Sequence, residues 1–285
     1  MLKVALTHDI DRTKKTYQHF TKTMRALLKL DFNKIKNQIF SLGKRNNYWT
    51  FNEIIKIEES YNVKSTYFFL NETIPLKLFK LKTYKLALGR YKILDKKIVD
   101  LIKQLDKNGF EIGVHGSYNS YKSLELLKFE KKTLENILGH EVIGIRQHYL
   151  NLDENTWQKQ KEVGFKYDSS IGYSGSLAKI GFVDERILPF KPFNDEFTVI
   201  PLVLMDVNFM LIKNRWQEFS ALLDFCNEKN CFLVVNFHNH VYNELEFPEY
   251  KNAFIKIIEE CKSKNAEFLT MKEIYELEIA RSNSK

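Results

Sequence analysis

Apolar positions along the chain follow two alternating rhythms. Short runs with strand character end in polar or charged residues: Leu2 to Asp11, Val63 to Leu70, Phe110 to His115, Val142 to His148, Phe165 to Ser169, Thr198 to Met205 and Cys231 to Phe237. Between them, apolar residues recur at spacings of three and four, the period of a helix that buries one face. Tyr17, Phe20, Met24, Leu27 and Leu28 make one such stripe, and Ile35, Ile39 and Leu42 make a shorter one up to Gly43. Thr50-Phe-Asn-Glu53 reads as a capping box opening a helix through Ser60. Residues 71–92 are a basic connection, and Asp95 opens a helix carrying Ile98, Leu101, Ile102 and Leu105. Gly109, Gly139 and Gly164 stop successive helices, at 122–138 and 153–163 for the latter two. Helices over 213–227 and 248–264, then Glu267-Phe-Leu-Thr and a last helix, complete the pattern. Strands alternating with helices over the whole length predict a parallel sheet, and this many units favour a closed or nearly closed barrel over an open sheet.

The strand ends carry the chemistry. Side chains alternate faces along a strand, so Asp9 and Asp11 project to one side of the first strand's C-terminal end. His8, His115, His148, His238 and His240 sit at the ends of four strands, which in a parallel barrel converge on one rim. Carboxylates and imidazoles gathered there suit a hydrolytic metal site, with a remaining carboxylate as general base and a histidine as general acid. No GxSxG, Walker, HExxH or GxGxxG pattern competes.

Length and composition narrow the setting. At 285 residues with no internal repeat and no Pro/Ser-rich linker, one domain over 1–285 is expected, with 12–50 as a helical insertion within it. Three cysteines without a CxxC pair cannot form a closed disulfide framework and suit a reducing compartment. The strand that starts at residue 2 leaves no room for a cleavable leader, so a cytoplasmic location is expected. Charge is uneven: residues 12–45 hold ten Lys or Arg against Asp31 alone, a net +9, while the whole chain is +8. A basic balance confined to one segment with few interleaved aromatics argues against nucleic acid as partner.

Five segments, taken in order, resemble the polysaccharide deacetylases, the NodB-homology or family-four carbohydrate esterases. They are Thr7-His-Asp-Ile-Asp11, Glu111-Ile-Gly-Val-His115-Gly-Ser-Tyr-Asn-Ser120, Gly144-Ile-Arg-Gln-His-Tyr149, Gly164-Phe-Lys-Tyr-Asp-Ser-Ser170 and Val235-Asn-Phe-His238-Asn. The resemblance implies a distorted (β/α)7-type parallel barrel, here with an inserted basic helical arm. It also implies one divalent metal, usually zinc, and hydrolysis of an N-acetyl or related acyl group from an amino sugar. The roles it implies are base for Asp9, metal ligand for Asp11 and His115, holder of the base for Arg146, acid for His238, and a tuning role on that acid for Asp168. Tyr118, Tyr149 and His240 are expected to contact substrate, with a backbone N–H near Tyr149 helping to hold the oxyanion.

The chain departs from that pattern in three places. Its first motif is Asp-Ile-Asp, with a residue between the acids. Asn119 stands where the second motif should supply another histidine, and an amide oxygen is a poorer zinc ligand than imidazole. His148 stands where the third motif normally has proline, on the strand face of Arg146; the third ligand is therefore His148 or Asn119, with His148 preferred. A relative that binds carbohydrate without catalysis is the alternative reading. The expected partners are an N-acylated sugar and, for the basic arm, an anionic surface: the inner membrane face, which the protein would meet peripherally, or a lipid-linked sugar phosphate.

Overall fold

The computed structural model describes residues 1–41, 48–75, 81–172 and 187–283. Its centre is strand β1 (Lys3–Ile10), buried from Val4 onward, as a strand covered on both faces must be. β2 (Ser65–Leu70), β3 (Glu111–Gly116), β4 (Gly144–Gln147), β5 (Tyr167–Asp168) and β6 (Thr198–Val199) follow on one side of it. β8 (Phe232–Asn236) and β7 (Leu204–Met205) follow on the other, and all these pairings are parallel. β9 (Glu267–Phe268) joins the start of β1 off this path.

The run 198–205, expected as one strand, is one extended segment that changes partner. Thr198, Ile200 and Leu202 donate backbone N–H groups to Lys166, Asp168 and Ile171, whereas Val203 donates to Val234. The segment thus hydrogen-bonds to both edges of the sheet and draws it round into a distorted (β/α)7-type barrel.

Helices cover the outside: α3 (Phe51–Ser60), α5 (Lys96–Lys107), α6 (Leu124–Leu138), α7 (Thr156–Val163), α9 (Arg215–Glu228) and α10 (Tyr250–Ser263). α5 buries Ile98, Leu101, Ile102 and Leu105, the face read from its spacing. Gly139 and Gly164 adopt left-handed φ of 82° and 93° and end their helices as expected. The capping box at Thr50 does not form. Its hydroxyl donates to the carbonyl of Asn239, and Glu53 accepts from Lys251, because both residues are drawn to the 239–251 segment instead. Four further helices matched the sequence pattern less closely: α1 (Gln18–Leu28) begins one residue after its stripe and α2 (Phe32–Ser41) three residues before its own, while α4 (Leu81–Ala87) and α8 (Asp206–Leu211) are short and had no periodic signal. The expected continuation of α2 through Leu42 and Gly43 lies outside the described residues.

Inside the barrel, the period of two separates core from chemistry. Ala5 of β1 packs with Phe68, Tyr167, Phe232 and Val234, closed from below by Met271, Ile274 and Tyr275 of α11 (Met271–Asn283). Two residues on, Thr7 starts a polar layer; two more, Asp9 reaches the upper rim. Gly144 is essential to this layer, because a Cβ there would lie 2.1 Å from the Tyr167 ring carbon and hydroxyl, and that hydroxyl is fixed on Glu111 at 2.6 Å. Gly144→Ala is expected to cost about 1–3 kcal/mol, as overpacking in a filled interior does. Urea unfolding checks it, and an unchanged midpoint would contradict this account of β4.

Candidate active site

Three corners meet over a cavity of about 330 Å³ at the C-terminal ends of the strands, lined among others by Asp9, Asp11, His115, His148 and His238. The first corner is built by a guanidinium. Arg146, the largest fully buried side chain, rises from β4 and sits 4.5 Å over the Phe68 ring. Its Nη1 donates to Asp9 Oδ1 at 3.0 Å, Thr7 Oγ1 at 2.7 Å and Asn236 Oδ1 at 3.0 Å, while Nε and Nη2 reach the carbonyl and hydroxyl of Ser169. Asn236 Nδ2 completes the cradle, donating to Asp9 Oδ2 at 3.1 Å. Burial opposes ionisation of Asp9, but the Arg146 charge overrides it and holds the carboxyl below its ordinary value.

The second corner gathers acceptors. Asp11 Oδ1 lies 3.3 Å from His115 Nε2 and 3.5 Å from His148 Nε2, and one ligand atom from each residue falls within 4.8 Å of the others. His115 Nδ1 faces the Arg146 carbonyl at 2.8 Å and must donate to it, so in the neutral ring Nε2 is a bare lone pair. Burial pushes His148 down to about 4 against the pull of Asp11, so that ring is neutral near pH 7. Asp11 Oδ1 is a buried oxygen that accepts no hydrogen bond. Lone pairs converging on one another need a cation between them, and carboxylate plus two imidazoles is a donor set suited to a divalent transition metal. The residues fit such an ion.

The third corner is the histidine at the end of β8. His238 Nδ1 faces Asp206 Oδ2 at 3.0 Å, and its backbone N–H donates to the same oxygen at 2.8 Å. Asp206 is fully buried at the start of α8. Burial alone would lower the His238 pKa; Asp206 outweighs it and raises it to about 10.

Five expected residues are placed away from the expected contacts. Asp168 does not touch His238: it is held by Gln160, Ser170 and Trp157, and through Ser170, whose hydroxyl receives the Gln147 N–H, it braces the strand of Arg146. Asp206 makes the contact with His238 that was expected of Asp168. His240 lies behind His238, packed on Tyr48 and Phe247, and burial drives its pKa down to about 3. His8 faces away from the cavity, between the Phe237 carbonyl and Glu58 of α3. Asn119 and Tyr118 are not among the residues lining the cavity, although Tyr118 stacks edge-on against Tyr149, which is. Tyr149 and Leu150 both hold left-handed φ, 60° and 53°, the kind of local strain that clusters at functional rims.

Sequence reasoning missed Asp206, Asn236, Gln147 and Arg90. Asn236 was accessible, since it stands two residues before His238 on the same strand face. Gln147 lines the cavity, with its Oε1 accepting from the Ser120 hydroxyl at 2.9 Å and its amide packed over Gly116, where Nε2 is buried and has no partner among the described residues. Arg90, from the basic connection, donates to the carbonyls of Leu86 and Asp11 at 2.9 Å each and brings Nη2 to 3.3 Å from His148 Nε2.

Comparison with known proteins agrees with this geometry. A family model described as polysaccharide deacetylase, WbmS-like, matches residues 95–254, a span holding His115, Arg146, His148, Asp206 and His238. The chain belongs to this polysaccharide deacetylase family. No curated protein matches it. Among solved structures, a Mycobacterium smegmatis protein assigned as a polysaccharide deacetylase is 17% identical, with 99% of this chain and 91% of that one covered at a TM-score of 0.61, which shows a common fold. The polysaccharide deacetylase Bc1974 of Bacillus cereus is 15% identical (95% and 92% covered, TM-score 0.46), and BA3943 of Bacillus anthracis, described as a CE4 family pseudoenzyme, is 10% identical (96% and 65% covered, TM-score 0.47). Membership of the polysaccharide deacetylase family implies an acetylated carbohydrate as the substrate class.

The Asp206 pairing carries a pH signature. Because the folded pKa of His238 lies above the ordinary 6.5, the pair stabilises the fold fully below that value and loses its contribution as pH rises toward 10. In Asp206→Asn the His238 pKa is expected to fall by about 1–3 units, the usual effect of one close opposite charge. NMR titration of the imidazole reads this, and an unmoved pKa would show that Asp206 does not set it.

Proposed function

We propose that the cavity hydrolyses an N-acetyl or related acyl group from an amino sugar of a glycan or glycan precursor, in one domain spanning the chain with 12–50 as an insertion. The observation that carries this reading is the opposition of two differently tuned groups across one acceptor triad: Asp9, kept ionised by Arg146, and His238, kept protonated by Asp206. Acid–base work at one pH needs such a split.

Asp11, His115 and His148 would hold a divalent metal, zinc by the chemistry of the donor set, with Asn119 outside it. When bound, that ion supplies Lewis acidity toward the acyl carbonyl. The protein's own groups do the rest. Asp9 takes the proton of the attacking water, its second oxygen and its orientation fixed by Asn236 and Arg146. His238 gives its proton to the departing amine nitrogen, and Asp206 then holds the neutral ring in place. Tyr149 offers a ring face at the mouth.

A second reading, a carbohydrate-binding relative without catalysis, is favoured by one contact. Arg90 already places a positive charge beside His148 Nε2 and lies 3.8 Å from Asp11 Oδ1, so it opposes a cation there. Two measurements on one preparation separate the readings. In Asp9→Asn, metal per chain is expected to equal that of the parent while deacetylation of N-acetylated chitooligosaccharides falls about 10²–10⁴-fold, the usual contribution of such a group. Unchanged turnover would remove Asp9 as base. A parent protein that takes up no metal and releases no acetate would establish the second reading.

A further inference from the structure

The arm between β1 and α3 has its amphipathicity reversed. Its inward side is charged: Lys15 and Lys22 both pair with Glu246, a fully buried carboxylate on the loop after β8, and Lys15 also donates to Gln38 of α2 at 2.6 Å. Tyr48 adds a third hydrogen bond to Glu246 at 3.0 Å, and Asn37 donates to the Leu245 carbonyl. Its outward side is apolar. Phe20, Met24, Leu27 and Leu28, the stripe that helical spacing selects, all face solvent rather than the barrel, with Leu28 81% exposed. The turn into α2 continues the surface through Leu30 and Phe32, the latter 75% exposed, and Ile39 extends it. A solvated helix would turn that stripe onto the body and its lysines outward.

We propose that this face is a docking surface for an anionic lipid bilayer, which the helix turn at Leu28, Leu30 and Phe32 enters. Charge complementarity selects that occupant: apart from Lys15 and Lys22, which Glu246 answers, Lys14, Lys29 and Lys36 of this segment stand exposed, Lys29 between Leu28 and Leu30 and Lys36 a helical turn from Phe32 and Ile39. Apolar side chains ringed by lysines on a surface-lying helix match the acyl boundary and phosphate layer of such a membrane. Glu246 ties the arm to the loop after β8 through Lys15 and Lys22, so the bilayer would lie near the rim, because the segment leaves the strand that bears Asp9. The surface is independent of whether the cavity hydrolyses its ligand.

The test is co-sedimentation of the full chain with phosphatidylcholine vesicles and with vesicles in which phosphatidylglycerol replaces part of that lipid. Binding is expected to the anionic vesicles only, to weaken with added salt, and to fall about tenfold or more in the double variant Leu28→Ser, Phe32→Ser and several-fold in Lys29→Glu. A soluble sugar phosphate in excess is expected not to displace the protein. The circular dichroism and metal content of the variants are expected to match the parent, which separates loss of docking from loss of fold. Absence of binding to anionic vesicles at low salt, equal binding to neutral ones, or undiminished binding of the double variant would each overturn the proposal. So would a parent dimer that the double variant dissociates, since the stripe would then be an interface between copies.

Discussion

One buried guanidinium organises the upper half of this barrel. Arg146 is wholly removed from water, and a charge so placed must be answered by an opposite one and by hydrogen bonds to its remaining donors. Asp9 supplies the charge; Thr7, Asn236 and Ser169 take the other N–H groups. Removing one partner of such a pair costs about 3–5 kcal/mol, because the other is left uncompensated. The same residue reaches the second corner through its main chain, whose carbonyl fixes the His115 ring with Nε2 toward Asp11. Asp9 and His115 are thus held by one residue, and small errors in β4 would be felt at both.

That constraint explains what a sequence reader could and could not see. Period-two alternation carries side-chain direction, so the common face of Asp9 and Asp11 was legible in the sequence, whereas the pairing of Arg146 with Asp9 was implied only by the family resemblance. The breaks in helical pattern at Gly139 and Gly164 were legible for the same local reason: backbone geometry there excludes most residues. Asp206 was not legible. It lies in a helix of six residues that begins where a strand ends, too short for periodicity, and it reaches His238 only because 198–205 crosses from one sheet edge to the other. Asp168 was misread because its motif lies beside Arg146 in the sheet, while the element facing His238 arrives from elsewhere in the sequence. Thr50 and Glu53 show the limit of local rules: both groups that could cap their helix found tertiary partners.

The electrostatics of the rim are asymmetric by construction. Asp9 is drawn down by a cation, His238 is drawn up by an anion, and His148 is kept neutral by burial, so three groups in one cavity hold different charges at one pH. Arg90 is the exception that makes the metal question sharp. Anchored on two backbone carbonyls, it stands beside the acceptors that invite a cation and adds a like charge to any ion placed among them. An effective dielectric near 20 makes such a repulsion worth a few kcal/mol at about 4 Å, comparable to the gain from one ligand, so the balance is close enough to need measurement.

X-ray absorption at the zinc edge of the full-length protein, loaded with one equivalent of zinc and dialysed, addresses that balance directly. The expected result is retention of about one ion per chain with two imidazole nitrogens at roughly 2.0–2.1 Å and a carboxylate oxygen in the first coordination sphere. Loss of the ion on dialysis, or a retained ion with a single imidazole, would contradict a metal centre made of Asp11, His115 and His148.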